Sequence, residues 1–294
     1  MPPTSPIGRM MVTLGPSSIS HEIISGFLRA GVSAFRVPAS KYSPADATVI
    51  CQTVLDLSEK IGIRPTMTVD LPGDKNRFKI QAPRSIKAGC LYRIVGDSSI
   101  ALGDDLEIQA LPNVSVGTYL IVGDGSGLLE VISASSAEIV VRPQADLDIL
   151  RNQGVGIWNG ASEHESFTAS DLHYTRAIPQ GVVDAYLLSF VESAESARAF
   201  SAAAGVQVIP KIESQHGIIA LSSILKAFPI VLLGRGDLML ETGPVDYYKW
   251  ESLALEAARQ ARAFVILGTE LLTASSSRIV AHRSEVSYLA QLAA

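Results

Sequence analysis

Seven short, nearly continuous apolar runs, at 10–14, 33–37, 66–71, 185–191, 206–212, 230–233 and 263–267, constrain the fold of this chain more than any other feature. Runs of this length, rich in β-branched and aliphatic residues, suit parallel strands buried on both faces. Most intervals between them carry helical spacing and end signals. Ser20 opens a segment whose Ile24, Phe27 and Leu28 share one face and which Gly31 can stop, and the segment 193–204 is closed by Gly205. Strand, helix, strand at this spacing implies right-handed βαβ units, in a doubly wound sheet or a (βα) barrel.

One interval breaks the rhythm. Between Leu71 and about Asp171 the sequence turns to short alternating pieces, 92–95, 119–122, 128–132 and 138–141, divided by Gly, Asp, Ser and Pro. That is the pattern of a small antiparallel β domain. The 294 residues therefore divide into a first barrel part (1–72), an inserted β lid domain (73–167) and a second barrel part (168–294). An insertion in a βα loop at the C-terminal ends of the strands is well placed to act as a lid.

Composition excludes several classes. Lys and Arg total 24 against 29 Asp and Glu, a net charge of −5 without runs of like charge, so no nucleic-acid partner is expected. No apolar run approaches the roughly 18 residues that span a bilayer, and no secretory signal is legible. Neither a membrane partner nor export is expected. Cys51 and Cys90, in a helical segment and in the insertion, support neither a disulfide framework nor a Cys-rich zinc site, and a cytoplasmic location is the default. His21, His164, His173, His216 and His282 show no paired metal-binding spacing. Neither a dinucleotide fingerprint nor a P-loop appears. Ser126, Ser135 and Ser136 have no nearby His for nucleophilic chemistry.

Ionisable residues recur at the C-terminal ends of otherwise apolar strands. Arg36 ends the second, Asp70 the third, and Lys211 and Glu213 the fifth, while Asp237 follows the sixth and Thr269 the seventh. Lys211 and Glu213, two apart, point to one side in a strand, and the same spacing relates Arg235 and Asp237. In a closed barrel these groups converge on one mouth. The carboxylates of Glu213 and Asp237 suit an oxygen-ligated divalent cation such as Mg²⁺, with waters and substrate completing the shell. Lys211 with Arg36 and Arg77 suits a phosphate or carboxylate.

The residues at these positions resemble those of the pyruvate kinase family. The matching segments, in order, are TLGPSS (13–18), FRVPAS (35–40), DLPGDKNR (70–77), VGDG (122–125), IPKIES (209–214) with His216 and Gly217, GRGDL (234–238), Gly268 with Thr269, and RSEVS (283–287). The resemblance implies a TIM-type (βα) barrel with the lid after the third strand. It also implies that Glu213 and Asp237 hold catalytic Mg²⁺, which Mn²⁺ can replace. Lys211 would neutralise the transferring phosphoryl group and the enolate, and Arg36 and Arg77 would contact phosphate. Backbone N–H groups of Gly236 and Asp237 would take the substrate carboxylate, Thr269 would lie beside the enol methylene, and Pro16 would touch a nucleoside diphosphate. The lid-turn Asp124 gains only modest weight from its match.

The departures are as informative. Where the family usually reads Arg-x-Asn-Phe-Ser-His-Gly, this chain reads RVPASKY over 36–42, with Pro38 for the Asn and Lys41 for the His. The Asn helps bind an activating potassium ion in the family, alongside positions matching Ser40 and Asp70. Lys75 stands where potassium-independent members place a substitute ammonium, so no K⁺ requirement is expected. After the seventh strand, residues 284–294 read as a helix with no eighth strand following, so the barrel is expected to be truncated. Its open edges would then be covered by a second copy of the chain, a homo-oligomer, or by a rearranged N-terminal segment. Apolar Leu253, Leu255, Val286, Leu289 and Leu292 are available to such a partner. The expected function is Mg²⁺-dependent phosphoryl transfer from phosphoenolpyruvate or a related phosphorylated enol. The alternatives are a nucleotide-independent lyase or decarboxylase on a 2-oxo acid, and a non-catalytic binding protein derived from the kinase.

Overall fold

The computed structural model describes residues 10–123, 125–158, 164, 167–269, 271–277 and 279–293. Asp124 lies outside them. In chain order the first part holds β1 (Met11–Thr13), α1 (His21–Arg29), β2 (Ala34–Pro38), α2 (Pro44–Ile61) and β3 (Thr66–Asp70). The insertion holds β4 (Arg84–Ile86), β5 (Tyr92–Val95), β6 (Leu106–Glu107), β7 (Tyr119–Val122), β8 (Gly127–Ala134), β9 (Glu138–Pro143), β10 (Leu147–Ile149) and β11 (Val155–Trp158). The second part holds α3 (Ala169–Ala177), β12 (Ala185–Leu188), α4 (Ala194–Ala204), β13 (Val208–Ile212), α5 (Gln215–Ile219), α6 (Leu221–Ala227), β14 (Ile230–Gly234), α7 (Arg235–Ala261), β15 (Phe264–Gly268) and α8 (Arg283–Ala293).

The seven apolar runs form one parallel sheet in the order β1-β2-β3-β12-β13-β14-β15. Its curl follows from what meets at one end: Thr13, from one edge strand, and Thr269, just past the other, line the same cleft. This is a TIM-type (βα) barrel arrangement of seven strands, and β1 and β15 show no pairing with each other among the described residues. Helices form for the reasons the sequence supplies. Ser20, Ser43 and Ser193 accept N-cap hydrogen bonds at the starts of α1, α2 and α4, and Gly205 ends α4 at φ 68°, a left-handed angle that suits a residue without a Cβ. Ile24, Leu28, Val54 and Phe200 are fully buried in the core shared by helices and sheet.

The insertion has its own core of Phe78, Ile94, Leu106, Leu120, Leu129, Val141 and neighbours. These come from a six-stranded sheet in the order β11-β7-β8-β9-β5-β6, beside the two-stranded β4–β10 ribbon. The outgoing and returning chains pair at the hinge, where Arg77 bridges Gly154. β11 also rests on α7, where a Cβ at Gly156 would stand 2.9 Å from Leu240 Cβ and one at Gly243 would strike the Trp158 indole.

α7 bends at Gly243, with φ 72° just before Pro244. Leu255 packs into the barrel's own core, whereas Leu253 and Val286 stay exposed. Among the described residues no helix is long and apolar enough to cross a membrane.

Candidate active site

The C-terminal ends of the parallel strands surround a cleft of about 200 Å³. Strand register explains the convergence: Ile212 sits opposite Leu233, so Glu213, just past β13, meets Gly234 at the end of β14. A Cβ at Gly234 would run into the Glu213 carboxylate, coming within 2.9 Å of its Cδ. The missing side chain is what lets that carboxylate lie flat between the strands.

Lys211 organises the floor. Its Nζ lies 3.0 Å from Asp70 Oδ1 and 3.0 Å from Glu213 Oε1, and it donates to Ser189 Oγ at 2.8 Å. Ser189 donates in turn to the Leu71 carbonyl at 2.7 Å. Burial opposes the ammonium charge, but Asp70, Glu213 and Asp237 outweigh it and raise its pKa above that of an ordinary lysine. Lys211 is therefore a fixed cation. Burial raises the pKa of Glu213 despite the pull of Lys211. Asp237 is held below the usual carboxylate range: burial opposes this, and the charges of Lys75 and Lys211 overcome it.

The remaining residues on the lining complete a cationic rim. Arg36 Nε approaches Asp70 Oδ2 at 3.5 Å, Lys75 donates to Asp237 Oδ1, and Arg77 donates to the Asn152 carbonyl at 3.0 Å. With Lys41 and Lys211, five cations face three carboxylates, Asp70, Glu213 and Asp237. Such a cleft favours an anion of charge two or more. Ser40 and Thr269 also line it. Gly236, in the first turn of α7, packs against the Thr269 side chain, where a Cβ would stand 3.2 Å from Cγ2.

Three residues stand apart from where the sequence set them. Pro16 is exposed in the loop after β1 and is not part of the cleft wall. Arg235 and Asp237 do not share a side, because the helix begins at Arg235 and a two-residue offset in a helix turns the side chains apart. Arg235 instead leaves the cleft. It donates to Glu251 Oε1 at 2.8 Å, to Tyr247 Oη at 3.1 Å and to the Thr269 carbonyl at 2.7 Å, and it stacks over the Tyr288 ring. It thereby pins Thr269, a β-branched residue at φ 69°, a backbone conformation that costs on the order of 1–3 kcal/mol. Lys75 reaches Asp237 rather than the Ser40–Asp70 side of the cleft where the sequence placed it.

Three contributors escaped the sequence reading. Ser189 and Phe190 directly follow β12, the fourth strand of the barrel, and neither is ionisable, so neither attracts notice. Phe190, at φ 51°, donates its N–H to Glu213 Oε2 at 3.1 Å. The third is His164, whose ring stacks on Phe190 at 3.8 Å with planes 15° apart. Its Nδ1 is 3.1 Å from Asp74 Oδ1, and its Nε2 makes an ion-pair contact with Glu241 Oε1 at 3.6 Å. It thus ties the hinge to α7.

Burial opposes the His164 charge, yet the bond with Asp74 and the charge of Glu241 prevail and raise its pKa to about 10, from 6.5. The folded value lies above the unfolded one. The stabilisation is therefore complete below about pH 6.5 and is lost as pH rises through about 10. Thermal unfolding of the wild type and of His164→Phe should show a gap in Tm that is constant below pH 6.5 and shrinks towards pH 10. A gap independent of pH contradicts the ionised assignment.

Both carboxylates of the expected metal pair are hard oxygen donors, and the missing Cβ at Gly234 makes room for the Glu213 carboxylate at the end of β14. The residues fit a divalent ion of the Mg²⁺ type.

Comparison with known proteins agrees with the barrel fold. A family described as "Pyruvate kinase, barrel domain" matches residues 7–292. The chain is 24% identical to a pyruvate kinase of Haemophilus influenzae over 95% of its own length and 61% of the relative's. It is 26% identical to one of Thermoplasma acidophilum, over 95% and 51%, and 25% identical to one of Thermococcus litoralis, over 96% and 62%. The chain spans about half to six-tenths of the length of these relatives.

Proposed function

Because the chain belongs to the pyruvate kinase family, we propose that its cleft takes phosphoenolpyruvate or a closely related phosphorylated enol and transfers the phosphoryl group. The observation that carries this reading is the grouping of Lys211, Glu213 and Asp237 with Arg36 and Arg77 around one cavity with an excess of cations. A buried, permanently charged Lys211 stands where the phosphoryl oxygens and the enolate develop negative charge. Such preorganised charge is the main catalytic contribution a protein makes to phosphoryl transfer. Arg36 and Arg77 hold the phosphate. The first-turn N–H groups of Gly236 and Asp237 would take the carboxylate, and Thr269, fixed by Arg235, would flank the methylene carbon. A divalent ion held by Glu213 and Asp237 would supply Lewis-acid stabilisation of the enolate oxygen.

Purified protein with Mg²⁺, phosphoenolpyruvate and a panel of nucleoside diphosphates should form pyruvate in an enzyme-linked assay. No turnover with any acceptor contradicts transfer. Pro38, on the cleft wall beside Ser40 and Asp70, offers no side-chain oxygen for a monovalent cation. Turnover should therefore be the same in K⁺ and in tetramethylammonium buffers, and a strict K⁺ requirement contradicts this.

One observation favours a second reading. The enolate side lines the cleft, whereas Pro16, the residue assigned to nucleotide, does not. Decarboxylation of a 2-oxo acid such as oxaloacetate needs only the enolate side, and it would proceed without nucleotide.

A further inference from the structure

Lys75 leaves the outgoing hinge strand, crosses Gly154 of the returning strand and ends on Asp237 Oδ1 at the first turn of α7. Its side chain is 16% exposed and that of Asp237 is 22% exposed, so water competes little for this pair. A cation of the protein itself thus occupies one of the two carboxylates assigned to the divalent ion. The path is built for it: a Cβ at Gly154 would stand 2.6 Å from Lys75 Cε and 3.2 Å from its Nζ.

We propose that Lys75 is an internal competitor for the divalent-metal site, so that a metal on Asp237 and the Lys75 ammonium on the same oxygen exclude one another. Metal entry then does two things. It replaces one positive charge on Asp237 with two, and it releases the Lys75 ammonium into the cleft beside Arg36 and Arg77, where an anionic substrate gains a further cation. Metal and substrate binding become linked through one side chain, since by reciprocity each favours the state in which Lys75 has left Asp237. Lys75 is a positioning residue in this account. The inference rests on the metal site of the proposed function.

Mn²⁺ binding to the purified full chain, followed by electron paramagnetic resonance without substrate, tests it. Lys75→Met should bind Mn²⁺ about 10- to 100-fold more tightly than wild type, the worth of one charge-assisted hydrogen bond. Removing any cation strengthens cation binding somewhat, so Arg77→Met, which acts on Asp237 through its charge while bonding the Asn152 carbonyl, serves as reference and should change affinity by no more than about 3-fold. Gly154→Ala is the sharper variant. It keeps every charge and only pushes Lys75 off its path, and it should also tighten Mn²⁺ binding several-fold. Equal effects of Lys75→Met and Arg77→Met, with none for Gly154→Ala, overturn the competition while leaving the metal site standing. Absence of Mn²⁺ binding in wild type and in Lys75→Met alike overturns both the inference and the metal site beneath it.

Discussion

Replacing Lys211 with methionine should lower phosphoenolpyruvate turnover by about 10³-fold or more, with kcat falling far more than KM rises. The size follows from the role. Removing one preorganised charge-stabilising donor typically costs 10²–10³ in kcat, and Lys211 carries a full charge in a site where it is only 8% exposed. The split follows from timing, because a group acting on charge that develops during the reaction is felt in the transition state more than in the ground state. The same change strands Asp70 and Glu213, each 3.0 Å from the ammonium. Breaking a buried pair from one side costs about 3–5 kcal/mol, so a marked fall in Tm should accompany the loss of activity. Near-normal turnover in a folded Lys211→Met protein removes Lys211 from the chemistry.

Gly234→Ala should damage the site while replacing no functional side chain. Gly234 has φ −84°, an angle open to alanine, so backbone strain is not at issue. The new methyl group would meet the Glu213 carboxylate, which is 2% exposed and boxed in by Lys211 and the Phe190 N–H. Overpacking of this kind costs about 1–3 kcal/mol. Here the carboxylate has to move, so Mn²⁺ affinity should fall by roughly 5- to 150-fold, the same energy expressed as binding. Gly26→Ala, in α1 with nothing within 4 Å of the added Cβ, is the control and should leave Mn²⁺ binding unchanged while stabilising the helix slightly. Unaltered Mn²⁺ affinity in Gly234→Ala would show that Glu213 is not a ligand.

The sheet was legible because buried parallel strands leave nearly continuous apolar runs, and all seven runs became its strands. The polar side of the site was legible for a related reason: a charged residue at the end of an apolar strand stands out, as Arg36, Asp70, Lys211, Glu213 and Asp237 do. The same rule hid Ser189 and Phe190, which work through a hydroxyl and a backbone N–H rather than a charge. Side-chain destinations were less readable. Alternation placed Arg235 with Asp237, but the helix already begins at Arg235. Lys75 meets a partner 162 residues away, and His164 joins three elements across the hinge. No local periodicity encodes contacts of that kind, because only the closed tertiary arrangement brings the partners together.

The most direct test is a crystal structure of the chain with Mn²⁺ and oxalate, a stable mimic of the enolpyruvate oxygens. Anomalous density for the metal is expected between Glu213 and Asp237, with oxalate between it and Lys211 and the Lys75 ammonium withdrawn from Asp237. Metal density elsewhere, or a cleft in which Lys75 still bonds Asp237 and no metal enters at saturating Mn²⁺, would contradict the account.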